Sequence, residues 1–207
     1  MFTGIIRLLG TVTDARPLPG GDGALRVRIE PDGPGFTPRP ALGDSIAVDG
    51  CCLTVSTPPG PGGALDFDLI PETLRKTTAG ERLRPGARVH LEQAASASTL
   101  LDGHIVQGHV DGRAGVVQVV SQGEWRVRLR PPGELMPFIV PKGSVTLAGV
   151  SLTVADVRPA EGWFEVALIP TTLDKTTLGT LKAGDAVNLE CDAMAKTVVH
   201  WLTHFAG

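Results

Sequence analysis

Hydrophobic and polar positions alternate with a period of two along much of this chain. Leu25-Arg26-Val27-Arg28-Ile29 and Trp125-Arg126-Val127-Arg128-Leu129 alternate strictly. The runs 64–69, 163–168, 89–92 and 187–190 show the same period. Period two with β-branched residues predicts half-buried antiparallel strands. Glycine (26 residues) and proline (17 residues) punctuate the chain too often for long helices. Several short strands between turn signals predict a small closed barrel.

The pattern is written twice. Ser45-Ile46-Ala47-Val48-Asp49-Gly50-Cys51-Cys52-Leu53-Thr54-Val55 returns 99 residues later as Ser144-Val145-Thr146-Leu147-Ala148-Gly149-Val150-Ser151-Leu152-Thr153-Val154. Leu69-Ile70-Pro71-Glu72-Thr73-Leu74 returns as Leu168-Ile169-Pro170-Thr171-Thr172-Leu173. At the front, Gly4-Ile5-Ile6 aligns with Gly108-His109-Val110. A unit of this length is one small domain, not a solenoid repeat. The expected division is a first barrel over 1–104, a second over 105–193 and a tail over 194–207. Two like domains imply two like pockets, and so two copies of one molecule.

In the tail, Met194, Val198, Trp201 and Phe205 fall at helical spacing, with Asp192 placed to cap the helix. Two readings stay open: a helix folded back on its own barrel, or one that packs against copies of itself. The net charge of −3 and the lack of basic runs exclude nucleic acid and anionic membranes as main partners. No apolar run is long enough to span a bilayer, and no signal peptide is visible. The three cysteines, Cys51, Cys52 and Cys191, form neither a disulfide framework nor a zinc site, and suit a reducing cytoplasm.

Candidate chemistry sits at matched places. A small nucleophile-capable residue precedes Leu-Thr in each copy, Cys52 in one and Ser151 in the other. The bland reading is a small buried thiol and a hydrogen-bonded strand serine. Gly50 and Gly149, just before, would let a flat ligand approach the backbone. Pro71 and Pro170 end strand pairing, freeing the following amides and Thr73 and Thr172 for a polar ligand or a local turn bond. His104 and His109, five apart, would point to opposite faces of a strand. His109 aligns with apolar Ile5, so it is either a proton carrier or a solvent-facing loop histidine.

Taken together, Met1-Phe2-Thr3-Gly4-Ile5-Ile6, the motifs at 49–55, 71–74 and 149–154, and Gly103-His104-Ile105-Val106-Gln107-Gly108-His109-Val110-Asp111-Gly112 resemble the riboflavin synthase alpha-chain family, nearly end to end. The resemblance implies an all-β fold of two tandem six-stranded Greek-key barrels plus a C-terminal α-helix. It implies three chains joined through that helix, no cofactor and no metal, and it leaves room for lumazine synthase as a partner. The implied reaction is the dismutation of two 6,7-dimethyl-8-ribityllumazines to riboflavin and 5-amino-6-(D-ribitylamino)uracil. The implied first-barrel pocket is Gly4, Ile5, Ile6, Cys52, Leu53, Thr54, Asp68, Leu69, Ile70, Pro71, Glu72 and Thr73. The second is Gly108, His109, Val110, Ser151, Leu152, Thr153, Ala167, Leu168, Ile169, Pro170, Thr171 and Thr172. Lys142 would reach the neighbouring chain's substrate. Cys52, His109, Ser151, Thr153 and Asp192 resemble the catalytic set, with His109 handling protons for Ser151. Ala148 stands where the family usually has Asp, and Thr171 where Glu or His is common. The competing reading is an antenna protein on the same frame that binds lumazine or flavin and catalyses nothing. A third is a bare interaction module, which leaves the matched polar motifs unexplained.

Overall fold

The computed structural model describes residues 1–205. The first half forms β1 (Leu8–Pro17), β2 (Leu25–Pro31), β3 (Ser45–Val48), β4 (Cys51–Thr54), β5 (Leu65–Leu69) and β6 (Arg88–Gln93). Two short helices, α1 (Pro71–Lys76) and α2 (Ala79–Arg82), link the last two strands. The second half repeats this as β7 (Gly112–Val120), β8 (Trp125–Arg130), β9 (Ser144–Leu147), β10 (Val150–Arg158), β11 (Trp163–Leu168) and β12 (Ala186–Cys191), with α3 (Pro170–Lys175) before β12. The helix α4 (Ala193–His204) follows.

Each alternating run of the sequence falls in one of these strands, the run 64–69 beginning one residue ahead of β5. Each half is antiparallel, in the order β4-β3-β6-β1-β2-β5 and β10-β11-β8-β7-β12-β9. The second half is a closed barrel. The first is nearly closed, its end strands joined by the isolated bridge Val55↔Phe67. The cause is local. Strand β10 runs on through Asp156-Val157-Arg158 and pairs with Phe164 and Trp163. The equivalent stretch after β4 is Thr57-Pro58-Pro59, and proline has no N–H to give to a ladder. Inward-facing residues fill each barrel: Val27, Ile29, Leu53, Phe67 and Leu91 in the first, Val127, Leu129, Leu152, Phe164 and Leu189 in the second.

The tight hairpins β3–β4 and β9–β10 turn through Asp49-Gly50 and Ala148-Gly149, all with positive φ (43°, 78°, 47° and 82°). That is the two-residue hairpin geometry that matches strand twist. The two turns press against each other where the barrels meet. A Cβ on Gly50 would stand 2.5 Å from the Gly149 nitrogen, and one on Gly149 2.8 Å from the Gly50 nitrogen. These glycines therefore serve the barrel–barrel contact, not a ligand's approach as expected. Buried His90 and Asn188 complete the contact reciprocally. Asn188 Nδ2 donates to Asp49 O at 2.9 Å, and its Oδ1 accepts from Thr78 N at 2.7 Å. His90 Nδ1 lies 2.8 Å from Ala148 O, and its Nε2 accepts from Thr177 N at 2.8 Å. These partners fix a neutral imidazole with its proton on Nδ1. Burial pushes the His90 pKa down, against the pull of Asp49.

Candidate functional site

Beyond Val154↔Val166 the β10–β11 ladder stops, so Ser151–Thr153 have no partner on β11. In the first half, Cys51–Thr54 likewise have none on β5. Each barrel thus opens a seam between the strand carrying Cys52 or Ser151 and the segment 68–73 or 167–172. Backbone polar groups along such a seam can meet the polar edge of a flat heterocycle. Cys52 and Ser151 are half-buried and face outward, and Thr54 and Thr153 are exposed beside them. Pro71 and Pro170 stand at the first position of α1 and α3, where a missing N–H costs nothing. Ile70 and Ile169, just before, are 58 % and 63 % exposed at the seams' ends.

Several expected contacts lie elsewhere. The side chains of Leu53, Leu69, Leu152 and Leu168 point into the barrel cores, which leaves only their backbone for a ligand. Asp68 spends its carboxylate on Arg26, with bonds of 2.6 and 2.7 Å, and this pairing lowers its pKa. Glu72 and Thr171 are exposed, while Thr73 and Thr172 are half-buried.

The segments before β1 and β7 are exchanged between barrels, contrary to the expected grouping. Gly4 O accepts the Ser151 N–H at 2.8 Å, and Ile6 packs into the second barrel's core. Gly108 O accepts the Cys52 N–H at 2.8 Å, and Val110 packs against the first barrel's core. Gly4, Ile5 and Ile6 therefore belong with Ser151, and Gly108, His109 and Val110 with Cys52. The two arms cross, held by a reciprocal bridge between Phe2 and Val106. Sequence alignment equates the arms but cannot show which barrel each one serves.

The arm also carries the residue that sequence reasoning passed over. His104 Nδ1 lies 2.7 Å from Ser151 Oγ. Burial pushes the His104 pKa down, and the Asp192 charge opposes that shift. A neutral imidazole against a serine hydroxyl is the arrangement of a base with its nucleophile. The expected partner, His109, is exposed five residues further along the same segment, past the Phe2–Val106 bridge, and neither histidine lies on a strand. The signal in the sequence was Gly103 beside His104. A Cβ there would fall 2.1 Å from Thr3 O and 3.0 Å from Ser151 Cβ, so only glycine brings the arm so close. Asp192 caps α4, its Oδ1 accepting Met194 N at 2.8 Å. Lys142 is exposed in a left-handed turn (φ 63°), its N–H bonded to Val154 O next to Thr153.

Two cavities, of about 580 and 440 Å³, are lined by Arg82, Arg84, Arg88 and Thr177, and by Thr3, Ile5, Phe36 and Glu92 among others; neither is lined by Cys52 or Ser151.

The lumazine binding domain profile matches twice, at residues 3–94 and 107–192. The riboflavin synthase of Mycobacterium tuberculosis (strain ATCC 25618 / H37Rv) is 46 % identical over 200 residues, 96 % of each chain. That of Brucella abortus (strain 2308) is 42 % identical over 201 residues, 95 % of each. The chain belongs to the riboflavin synthase family. The riboflavin synthase of Escherichia coli (strain K12) is 40 % identical over 159 residues, 76 % of this chain and 72 % of that one. Among solved structures, LumP complexed with riboflavin superposes with a TM-score of 0.78 at 24 % identity, covering 93 % of this chain and all of that one. LumP complexed with 6,7-dimethyl-8-(1'-D-ribityl) lumazine gives 0.77 at 23 %. At that identity the LumP likeness bears on the fold alone, which is the duplicated barrel of this family.

Proposed function

We propose that this chain converts two 6,7-dimethyl-8-ribityllumazines into riboflavin and 5-amino-6-(D-ribitylamino)uracil. Atoms and electrons balance between the two substrates and two products, so no co-reactant is consumed. The first barrel, about 1–104, holds the acceptor in the Cys52 seam. The second, about 105–193, holds the donor in the Ser151 seam. In the donor site His104 takes the Ser151 proton as the hydroxyl, or a water it orients, adds to ring carbon 7. The carbon-7 methyl of the other lumazine is acidic because its anion delocalises over the ring, so a modest base near pH 7 suffices. Holding both rings turns an encounter into a reaction within one complex.

The seams meet between chains. Met194, Val198, Trp201 and Leu202 of α4, and Phe205 just after it, are exposed, so this apolar face turns away from the chain's own barrel, which the helix touches through the Lys196–Asp111 ion pair. Such a face asks for copies of itself, and three chains are the arrangement we assign to it. Lys142 and His109, both exposed beside open seams, then reach the neighbour's substrate. The three free cysteines suit a cytoplasmic enzyme.

The observation that carries catalysis over binding alone is the 2.7 Å His104–Ser151 contact, which binding alone does not require. Purified protein given the lumazine should form one riboflavin for each two lumazines consumed, followed by fluorescence and chromatography. Lumazine that stays bound and unchanged would assign the chain to the antenna class.

A further inference from the structure

Each exchanged arm is gripped by one carboxylate of its own barrel. Glu92 Oε1 accepts Thr3 N–H at 2.7 Å and the Thr3 hydroxyl at 2.8 Å, and Oε2 accepts Gly4 N–H at 3.1 Å. Glu190 Oε1 accepts Gln107 N–H at 2.7 Å, and Oε2 accepts Gly108 N–H at 2.9 Å. In both arms the gripped glycine turns with positive φ, 75° at Gly4 and 77° at Gly108. The next polar atom along the chain is that glycine's carbonyl, and it bonds to the opposite barrel, at Ser151 N–H or Cys52 N–H. Contact is close at that point. A Cβ on Gly4 would lie 2.7 Å from Ser151 Cβ, and one on Gly108 2.7 Å from Cys52 Cβ.

Burying a carboxylate is costly unless hydrogen bonds hold it, and burial does raise the pKa of both groups. A carboxylate nonetheless has one advantage here. Two consecutive amides both donate, so both partner atoms must accept, and among side chains only an ionised carboxylate offers two acceptors in that fork. A glutamine would turn its NH2 against one arm amide. The arm would then tilt, and its glycine carbonyl would leave the nucleophile's backbone.

We infer that Glu92 and Glu190 are positioning residues that work across the barrel boundary: Glu92 of the first barrel sets the Ser151 site, and Glu190 of the second sets the Cys52 site. The inference rests on the lumazine sites proposed above. It gives the tandem fusion a purpose, because neither seam is complete without an arm anchored in the other barrel.

The crossed dependence can be read at one thiol. Cys52 is half-buried, whereas Cys51 and Cys191 are buried with thiols pushed up to about 12. Iodoacetamide should therefore label Cys52 first, and riboflavin in its seam should protect it. Glu190→Gln should raise the half-protecting riboflavin concentration about tenfold, the factor expected for one charge-assisted hydrogen bond. Glu92→Gln should leave that concentration within about twofold, although it lies on the same barrel as Cys52. Lumazine turnover should fall at least about tenfold in both variants. Should a Gln variant melt early, the Asp variant at that position keeps the charge, falls one methylene short and should show the same crossed pattern. Equal shifts from both substitutions, the reverse pattern or no shift would each overturn the inference, as would a wild-type Cys52 that riboflavin does not protect. Wild type that makes no riboflavin would sink the function itself; wild type that turns over without the crossed pattern removes only this inference.

Discussion

The first barrel is only nearly closed where the second closes fully, and the second carries a histidine–serine pair where the first carries a lone half-buried thiol. The hairpins, seams, arms and gripping glutamates are otherwise the same. That contrast separates what the frame needs from what the reaction needs. The frame needs Gly50 and Gly149 back to back, an arm with a left-handed glycine, and a carboxylate to hold it. The reaction needs two unequal partners, one ring that gives four carbons and one that receives them. A duplicated domain that keeps this frame in both copies and varies the nucleophile and its base meets both needs.

The sharpest way to break the comparison is to equalise the seams. Ser151→Ala removes the hydroxyl held by His104, and kcat should fall by about 10²-fold or more. Cys52→Ala removes a thiol with no such base, so kcat should fall only about tenfold, with the loss shared by KM. Steady-state kinetics with lumazine read both. Equal losses would mean that the copies are chemically alike.

His104→Gln tests the base itself and should lower kcat by about 10²-fold. Burial holds the wild-type pKa below the ordinary histidine value of 6.5, so the ring is neutral at pH 7 and the acid limb of the kcat/KM profile, which reports the free enzyme, lies below 6.5. The glutamine variant should lose that limb. A limb that persists would point to another group.

A smaller effect lies at the barrel contact, where His90 stands in for the Asn188 of the other copy. Its folded pKa is depressed below 6.5 by burial, with Asp49 at 3.6 Å and Arg82 the charges that face it. A depressed histidine contributes stability in full above 6.5 and loses it as pH falls from there toward the folded value. The wild-type Tm should therefore drop more between pH 7 and pH 5.5 than that of His90→Asn, by a few degrees for each ~1 kcal/mol. Parallel pH–Tm curves for the two proteins would exclude His90 as the source. The smallest effect is at Ala148, whose φ of 47° is unfavourable for a residue with a Cβ. Ala148→Gly should raise stability by up to ~1 kcal/mol in urea unfolding, and the same glycine at Asp49 should lower it, since the Asp49 carboxylate holds His90 N–H at 2.8 Å.

Period-two alternation was enough to place β2, β5, β6, β8, β11 and β12, and the internal repeat to match the two halves element by element, because both depend on local side-chain direction. The arms were not legible. Residues such as Gly4 and Gly108 have the same sequence neighbours whether they cover their own barrel or the other one, and only the long-range bonds to Ser151 and Cys52 decide it. His104 was missed for the same reason. Counting along a strand sends it and His109 to opposite faces, but the segment is an arm bent at glycines. Alternation also fixes what Leu53 and Leu152 can offer a ligand, since outward neighbours on both sides turn these two side chains inward and leave only their backbone at the seam. The seam on α4 was visible as spacing, whereas its exposure was not.

Unequal seams that react as a pair across neighbouring chains can be tested by mixing. Ser151→Ala destroys the donor seam, and a bulky Cys52→Trp blocks the acceptor seam. Co-expressed with different tags and purified through both, the two inactive chains should form mixed assemblies with a substantial part of wild-type riboflavin synthesis, because each assembly keeps one intact donor seam facing one intact acceptor seam. Mixed assemblies as inactive as either parent would contradict the account.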